Sequence, residues 1–252
     1  MSGGGLRTAA AFADLCAVSA RLGQDPLQVQ GAGGNTSIKA GGAMLVKASG
    51  TWLADALTRD VFVDVDAAGY AAALRAGRPE AADAMRFVRS GPTPGGLRPS
   101  IETGLHAALR APVVLHTHCV ATIAVAVQSG GAALALRALA GLDAVFVPYA
   151  RPGIPLAEAM LAAGDDHGVY ILGNHGLVVA ADTVAAAAAL QAEVTRRLAG
   201  PVARAPAKPL SLKGTGWAAL GPGVPEQAAV LAGRALYPDH VIFLGPGIAL
   251  PA

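Results

Sequence analysis

Val113-Val114-Leu115-His116-Thr117-His118 decides how the rest of the chain is read. Three aliphatic residues in a row, two of them β-branched, argue for a short buried strand, and Pro112 ends whatever helix precedes it. Side chains at i and i+2 of a strand share a face, so the imidazoles of His116 and His118 converge at this strand's end. Two ligands on one element is what a metal ion needs. A third histidine, His175, stands in Gly173-Asn174-His175-Gly176, between two short apolar runs. Its small neighbours let the backbone turn sharply and let an imidazole approach a centre. Three histidines and an open fourth position describe a catalytic zinc site rather than a closed structural one. Neutral imidazole also suits copper, iron or nickel, so ligand type leaves another divalent transition metal open. Each motif alone fits a satisfied strand end or an ordinary turn; the metal reading rests on the combination.

Outward from the strand, residues 101–109 read as a helix opened by Ser100, with Glu102 in its first turn. A carboxylate there complements the helix dipole. Because the helix runs away and the strand returns, Glu102 can also share a cleft with the histidines and serve as a general acid or base. Upstream, residues 9–22 carry Ala11, Leu15, Val18 and Leu22 at helical spacing, ended by Gly23. Segments 36–39 and 43–46 read as strands flanking the diglycine Gly41-Gly42, and 61–65 as another strand. Residues 67–74 and 80–88 read as helices, and 91–99 as a Pro/Gly loop. Downstream, 120–127 reads as a helix, 145–149, 169–172 and 177–180 as strands, and 183–198 as a long helix. Strict β-α-β alternation is missing, which favours a mixed sheet over a doubly wound parallel one.

Composition narrows the function. The chain has 252 residues, of which 53% are hydrophobic, so it is neither disordered nor dependent on disulfides to fold. Charged residues are 14%, against roughly 25% in an average domain. Much of the apolar surplus is alanine, and no run of about 20 strongly apolar residues offers a membrane span. The richest window, 180–198, contains Asp182, Gln191, Glu193, Arg196 and Arg197. Nineteen Lys+Arg against 17 Asp+Glu leave a net charge of +2, scattered rather than in a stripe, so no nucleic-acid partner is expected. Two cysteines, Cys16 and Cys119, and a start Met1-Ser2-Gly3-Gly4-Gly5-Leu6-Arg7 without an apolar signal region point to a reducing, cytoplasmic setting.

Two polar loops, Gly33-Gly34-Asn35-Thr36-Ser37 and Ala48-Ser49-Gly50-Thr51, expose backbone N–H groups that can cradle an anion; both are also ordinary turn sequences. Neither carries the Gly-Lys-Ser/Thr ending of a P-loop or the spacing of a dinucleotide fingerprint. Lys47 can neutralise an anion or face solvent.

Taken in order, Gly34-Asn35-Thr36-Ser37, Lys47-Ala48-Ser49-Gly50-Thr51, Pro99-Ser100-Ile101-Glu102, the His116/His118 pair and Asn174-His175-Gly176 resemble the class II aldolase/adducin family. Pro148-Tyr-Ala-Arg-Pro-Gly-Ile-Pro-Leu156 and Tyr237-Pro-Asp-His-Val241 are similar to the aldolase region of bifunctional rhamnulose-1-phosphate aldolase/short-chain dehydrogenase proteins. The resemblance spans about residues 9–198. It implies a three-layer α/β/α fold around a mainly antiparallel sheet over residues 1–200; after Gly200 the composition shifts toward proline, so 201–252 reads as a Pro-rich extension, expected to pack on the same domain. It also implies a homo-oligomer, commonly a tetramer, with active sites at subunit interfaces. His116, His118 and His175 match the zinc ligands and Glu102 the acid/base. Asn35, Ser49, Gly50 and Ser100 match positions that bind a substrate phosphate. Where sugar-phosphate members often have Ser-Ser-Glu, this chain has Ser100-Ile101-Glu102, one hydroxyl donor fewer. No tyrosine follows the His pair by some twenty residues, and Tyr149 is too far along to inherit that branch's proton-transfer role.

The implied reaction is retro-aldol cleavage of a ketose phosphate or related sugar through a metal-stabilised enediolate. The same site chemistry serves decarboxylases of sugar-acid phosphates and epimerases of pentulose phosphates. Adducin heads use the fold as a scaffold without the metal histidines. His106, His167 and His240 are read as structural, although His106, one turn after Glu102, can orient it. Cys119 alternates away from His118 and belongs to the core.

Overall fold

The five residues Asn35-Thr36-Ser37-Ile38-Lys39 open the first strand of the sheet rather than ending a loop, and their alternation sets its two faces. The computed structural model describes residues 3–89 and 94–199, together with strand residues 210–211 and 218–219. The chain divides into two compact units, 1–199 and 200–252. In the second, Leu210–Ser211 pairs antiparallel with Ala218–Ala219. The expected packing of 201–252 on the same domain lies outside the described residues, as do Trp217, His240 and the Tyr237–Val241 similarity.

In the first unit, helices α1 (Gly3–Arg7) and α2 (Ala10–Gln24) precede the hairpin of β1 (Asn35–Ala40) and β2 (Ala43–Lys47), then β3 (Phe62–Asp66). Helices α3 (Ala67–Arg75) and α4 (Thr103–Ala108) lead to β4 (Val113–Thr117). Next come α5 (Val120–Ala126), α6 (Gly131–Ala138), β5 (Ala144–Val147) and α7 (Ile154–Ala163). The hairpin β6 (Val169–Leu172)–β7 (Gly176–Ala181) and α8 (Val184–Ala199) complete the unit. The seven strands lie in the order β3-β2-β1-β4-β7-β6-β5. Every neighbouring pair is antiparallel except β5 and β6.

Helices cover both faces. Thr36 of β1 bonds Ser19 of α2, and Thr117 of β4 bonds Gln191 of α8, so α2 and α8 lie on one face. On the other, Val46, Val65, Val114, Tyr170 and Val178 pack with Tyr70 and Leu74 of α3, Leu105 of α4 and Leu156 and Met160 of α7 in one buried cluster. This is the expected three-layer α/β/α arrangement around a mainly antiparallel sheet. Val114 and His116 share the α4 side of β4, which aims the first ligand histidine at the helix that follows Glu102.

Several local expectations are corrected. Residues 80–88 are not one helix but two 3-10 turns, Pro79–Ala82 and Ala84–Phe87. Pro79 opens the first, the Asp83 carboxylate accepts from the Met85 N–H to start the second, and Val88 leaves to pair with Val65. The helix expected over 101–109 is the shorter α4, with Glu102 at its N-cap. Helices α6 and α7 were not expected. The first is only eight residues long and half alanine, and the second, Ile-Pro-Leu-Ala-Glu-Ala-Met-Leu-Ala-Ala, is apolar on nearly every side and so shows no helical stripe.

Candidate metal centre

Strand β4 ends at Thr117, so His116 is its penultimate residue and His118 lies just past it. Both rings stay on one side, 5.1 Å apart between centroids. Antiparallel pairing sets Thr117 opposite Leu177 and His116 opposite Val178, bringing the three-residue turn before β7 alongside. That turn is Gly173-Asn174-His175, and Asn174 takes a left-handed φ of 50°, a conformation asparagine tolerates better than most residues. It places the His175 ring 4.9 Å from His116 and 5.2 Å from His118. Two glycines make the approach close. A Cβ on Gly176 would stand 2.3 Å from the Thr117 carbonyl oxygen, and one on Gly34 would stand 2.9 Å from that of His116.

Glu102 completes the group. Its carboxylate is 7% exposed as a residue, with Oε1 3.0 Å from His175 Nε2 and Oε2 3.5 Å from His116 Nε2. The ligand atoms of Glu102, His116, His118 and His175 all lie within 4.8 Å of one another, and all four residues are buried. Two opposed metal–ligand bonds span about 4.2 Å, so the cluster has the size of a coordination shell. His116 Nδ1 donates to the Leu177 carbonyl at 3.0 Å. This fixes the tautomer that leaves Nε2 bare, and that buried Nε2 makes no hydrogen bond among the described residues. A backbone carbonyl holding the far nitrogen is the usual support of a metal-ligating histidine. The donors fit a divalent transition metal.

Electrostatics point the same way. Burial pushes the His116 imidazole down to about 3, with Glu102 opposing and the other two rings adding to the fall, so His116 is neutral at physiological pH. Burial works to raise the Glu102 carboxyl, but His116, the hydrogen bond from His175 and the nearby His118 outweigh it and hold it well below the usual carboxylate range. A neutral His116 and an ionised Glu102 are in the states a metal requires of its ligands.

The residues expected to bind an anion gather on the segment leading into Glu102. The Ser49 N–H donates to the Arg98 carbonyl at 2.8 Å, and Ala48 pairs with Pro99. Ser100 Oγ accepts from the Glu102 N–H at 3.3 Å. Ser49 and Gly50 are exposed, and Gly50 has a φ of 71°, a conformation that suits glycine. Asn35 is different. It sits opposite His116 in the sheet and donates from Nδ2 to Glu102 Oε2 at 2.9 Å. Lys47 faces neither solvent nor open space; it is buried and donates to the Ala32 carbonyl at 2.7 Å. Ile101 is 67% exposed. Cys119 is buried, with Sγ 3.8 Å from Thr195 Oγ1 of α8, away from the histidines as expected.

His106 is bound more fully than its place one turn after Glu102 implies. Its Nε2 meets Asn35 Oδ1, its Nδ1 lies 2.7 Å from Ser37 Oγ, and its carbonyl accepts from Lys39 Nζ at 2.7 Å. Asn35, Ser37 and Lys39 are i, i+2 and i+4 on a strand, so they line one face. Glu102 and His106 are four residues apart at the start of a helix, so they too are neighbours. The matching polar periods were the available signal. His167 pairs with the exposed Asp143 at 2.7 Å and has no part in the centre.

Comparison with known proteins accords with this geometry. Residues 13–199 match the model of the Class II Aldolase and Adducin N-terminal domain. The structure is similar to the N-terminal class II aldolase domain of a conserved protein from Thermoplasma acidophilum, at 27% identity and a TM-score of 0.63, covering 73% of this chain and 90% of that one. It shares its fold with a sugar-phosphate aldolase from Thermotoga maritima, at 12% identity and a TM-score of 0.56, covering 75% and 91%. Over 90 residues, 34% of this chain, it is 41% identical to the uncharacterized oxidoreductase YuxG of Bacillus subtilis (strain 168). That match spans only 13% of the Bacillus protein's length. Among the described residues no helix is long and apolar enough to cross a membrane. With the family model matched across 13–199, the chain belongs to the class II aldolase/adducin family.

Proposed function

We propose that the protein is a zinc-dependent class II aldolase, a carbon–carbon lyase that cleaves a ketose phosphate or related sugar by retro-aldol chemistry. The observation that carries the reading is the buried cluster of Glu102, His116, His118 and His175 with ligand atoms within 4.8 Å. A scaffold has no use for four buried, convergent donors, whose desolvation costs stability unless a bound ion offsets it. A divalent ion held by His116, His118 and His175 supplies Lewis-acid polarisation of a substrate carbonyl and stabilises charge on its oxygen.

The rest falls to side chains of this chain. Scission breaks the O–H bond of the β-hydroxyl, whose oxygen becomes the aldehyde carbonyl of the released half and whose proton passes to solvent, and it leaves the bonding pair of the broken carbon–carbon bond on the carbon next to the ketone carbonyl. Glu102, held ionised in the resting site, takes a proton from that carbon in the synthetic direction and returns it in the cleavage direction. The Ser49 and Ser100 hydroxyls, the Gly50 N–H and the second amide hydrogen of Asn35 are our candidate contacts for the substrate phosphate. With an isoleucine at 101, the same loop offers that anion one hydroxyl fewer. A cytoplasmic homotetramer acting on a small soluble sugar phosphate completes the reading; its two cysteines are free thiols.

The test is a panel containing L-fuculose 1-phosphate and L-rhamnulose 1-phosphate, scored for aldehyde, for carbon dioxide and for epimer. Aldehyde release that falls about 10²–10⁴-fold in Glu102→Gln, with zinc content retained, supports the reading. Wild-type turnover in that variant refutes the role of Glu102. Carbon dioxide or epimer in place of aldehyde replaces the aldolase with a decarboxylase or epimerase on the same site.

A further inference from the structure

We infer that His106 is a positioning residue for Glu102, acting through Asn35 as the middle of an oriented hydrogen-bond chain that begins at Ser37. The inference rests on the proposed role of Glu102 as the proton-transfer group and goes beyond it by naming what aims that carboxylate.

The direction of every link follows from chemistry. Asn35 Nδ2 donates to Glu102 Oε2 at 2.9 Å, which turns the amide oxygen of Asn35 the other way. Asn35 Oδ1 then faces His106 Nε2 and can only accept, so that nitrogen carries the proton. Burial, with His116 and Lys39 adding to it and Glu102 opposing, holds His106 well below its ordinary range, so the ring is neutral and Nδ1 is bare. Ser37 Oγ, 2.7 Å from Nδ1, therefore donates. Ser37 O–H, His106 Nε2–H and Asn35 Nδ2–H all point toward the carboxylate, and aligned donors reinforce one another in a buried setting.

The far end is pinned as well. Lys39 Nζ bonds the carbonyls of His106 and Leu109 at 2.7 and 2.5 Å, and Arg75 bonds that of Ala108 at 2.9 Å. Lys39 and Arg75 thus satisfy carbonyls at the C-terminal end of the short helix carrying His106. Strand β1 spends three successive same-face positions on polar residues buried or half-buried against α4, and the chain ends on the one carboxylate of the cluster. The result is a division of labour within Glu102. Oε2 is clamped by Asn35, which leaves proton transfer to Oε1, the oxygen that meets the His175 ring at 3.0 Å.

Two measurements test this. Long-range ¹H–¹⁵N NMR of the metal-free protein reads the His106 tautomer directly, with the signal assigned by its loss in His106→Gln. A neutral Nε2–H ring with bare Nδ1, whose Nε2–H resonance moves in Glu102→Gln, is the expected result. An Nδ1–H tautomer, or a resonance indifferent to Glu102→Gln, overturns the chain.

The second uses zinc-loaded protein and dihydroxyacetone phosphate, following deuterium exchange at its carbinol carbon, the half-reaction that needs only the proton-transfer group and the metal. His106→Leu is expected to slow exchange about 10–100-fold at unchanged KM and zinc content. In the Glu102→Gln background the same substitution should cost less than about 2-fold, because coupled residues are not additive. His106→Gln, which keeps a donor toward Asn35, should recover most of the rate. Equal losses from His106→Leu in both backgrounds overturn the positioning role and leave a structural one. Full exchange in Glu102→Gln, or none in the wild type, overturns the proposed function instead, and the NMR result still decides whether His106 is coupled to Glu102.

Discussion

Replacing Gly176 with alanine puts one methyl group between the two arms of the metal cluster. Gly176 is the first residue of β7, immediately after His175, and its Cα faces the end of β4. A Cβ there would lie 2.3 Å from the Thr117 carbonyl oxygen and 3.2 Å from His118 Cα. Both are backbone atoms, so no side chain can swing away. Ordinary contact begins at 3.4 Å, so the strand ends must separate by about 1 Å, a shift of the scale that misplaces reacting groups. Overpacking of this kind costs about 1–3 kcal/mol. At about 2–4 °C per kcal/mol for a chain of this size, Tm should fall by about 2–12 °C. Because the displaced backbone carries His118 and the Leu177 carbonyl that orients His116, zinc affinity should fall by about 10–100-fold. Thermal melting with a chelator present gives the first number, and zinc titration against a competing chelator gives the second. Gly168→Ala is the control, since its Cβ would meet nothing nearer than 3.6 Å. A Gly176→Ala protein melting within about 1 °C of wild type and binding zinc normally would refute the view that close strand contact sets the ligand spacing.

Two further expectations follow from the same geometry. Asn174 holds a φ of 50°, where a β-branched side chain is strained, so Asn174→Val should lower stability by about 1–3 kcal/mol while Asn174→Gly is nearly neutral; chemical denaturation of the metal-free variants separates the two. Lys39 is pushed down to about 7, first by burial and then by Arg75. Below pH 7 both folded and unfolded chains hold its proton and the cost of burying the ammonium is fully present. Above it the folded chain releases the proton first, so this group's contribution makes stability rise from about pH 7 toward 10.5. The difference in urea midpoint between wild type and Lys39→Met should therefore shift in favour of wild type from pH 7 to 8.5, and parallel pH profiles would contradict the assignment.

Much of the site was legible because it rests on short-range geometry. Strand period 2 placed His116 and His118 together, the turn residues around His175 marked a tight approach, and the run back from the strand put Glu102 within reach. What escaped was long-range or without pattern. Starting the strand at Thr36 left Asn35 in the glycine loop and hid that Asn35, Ser37 and Lys39 form one face of the strand. The contact of that face with Glu102 and His106 joins segments some 70 positions apart, which no local period encodes. Lys47 looked like a solvent residue or an anion ligand because burial of a lysine depends on a partner, here the Ala32 carbonyl, that the sequence does not advertise. Helix α7 escaped because even its exposed face carries Pro155 and Ala162 beside Glu158, so no polar stripe marks it. The 80–88 segment was overread because its spacing allows a helix, whereas Pro79 and the Asp83 side chain favour local turns.

The account stands most directly on metal content. Untagged protein should carry about one zinc per chain, the stoichiometry of a single three-histidine site, and His116→Ala/His118→Ala should carry essentially none while retaining its fold by circular dichroism. A wild-type protein that is empty as purified and also refuses added zinc, cobalt and nickel would contradict the metal centre, and with it the enzyme.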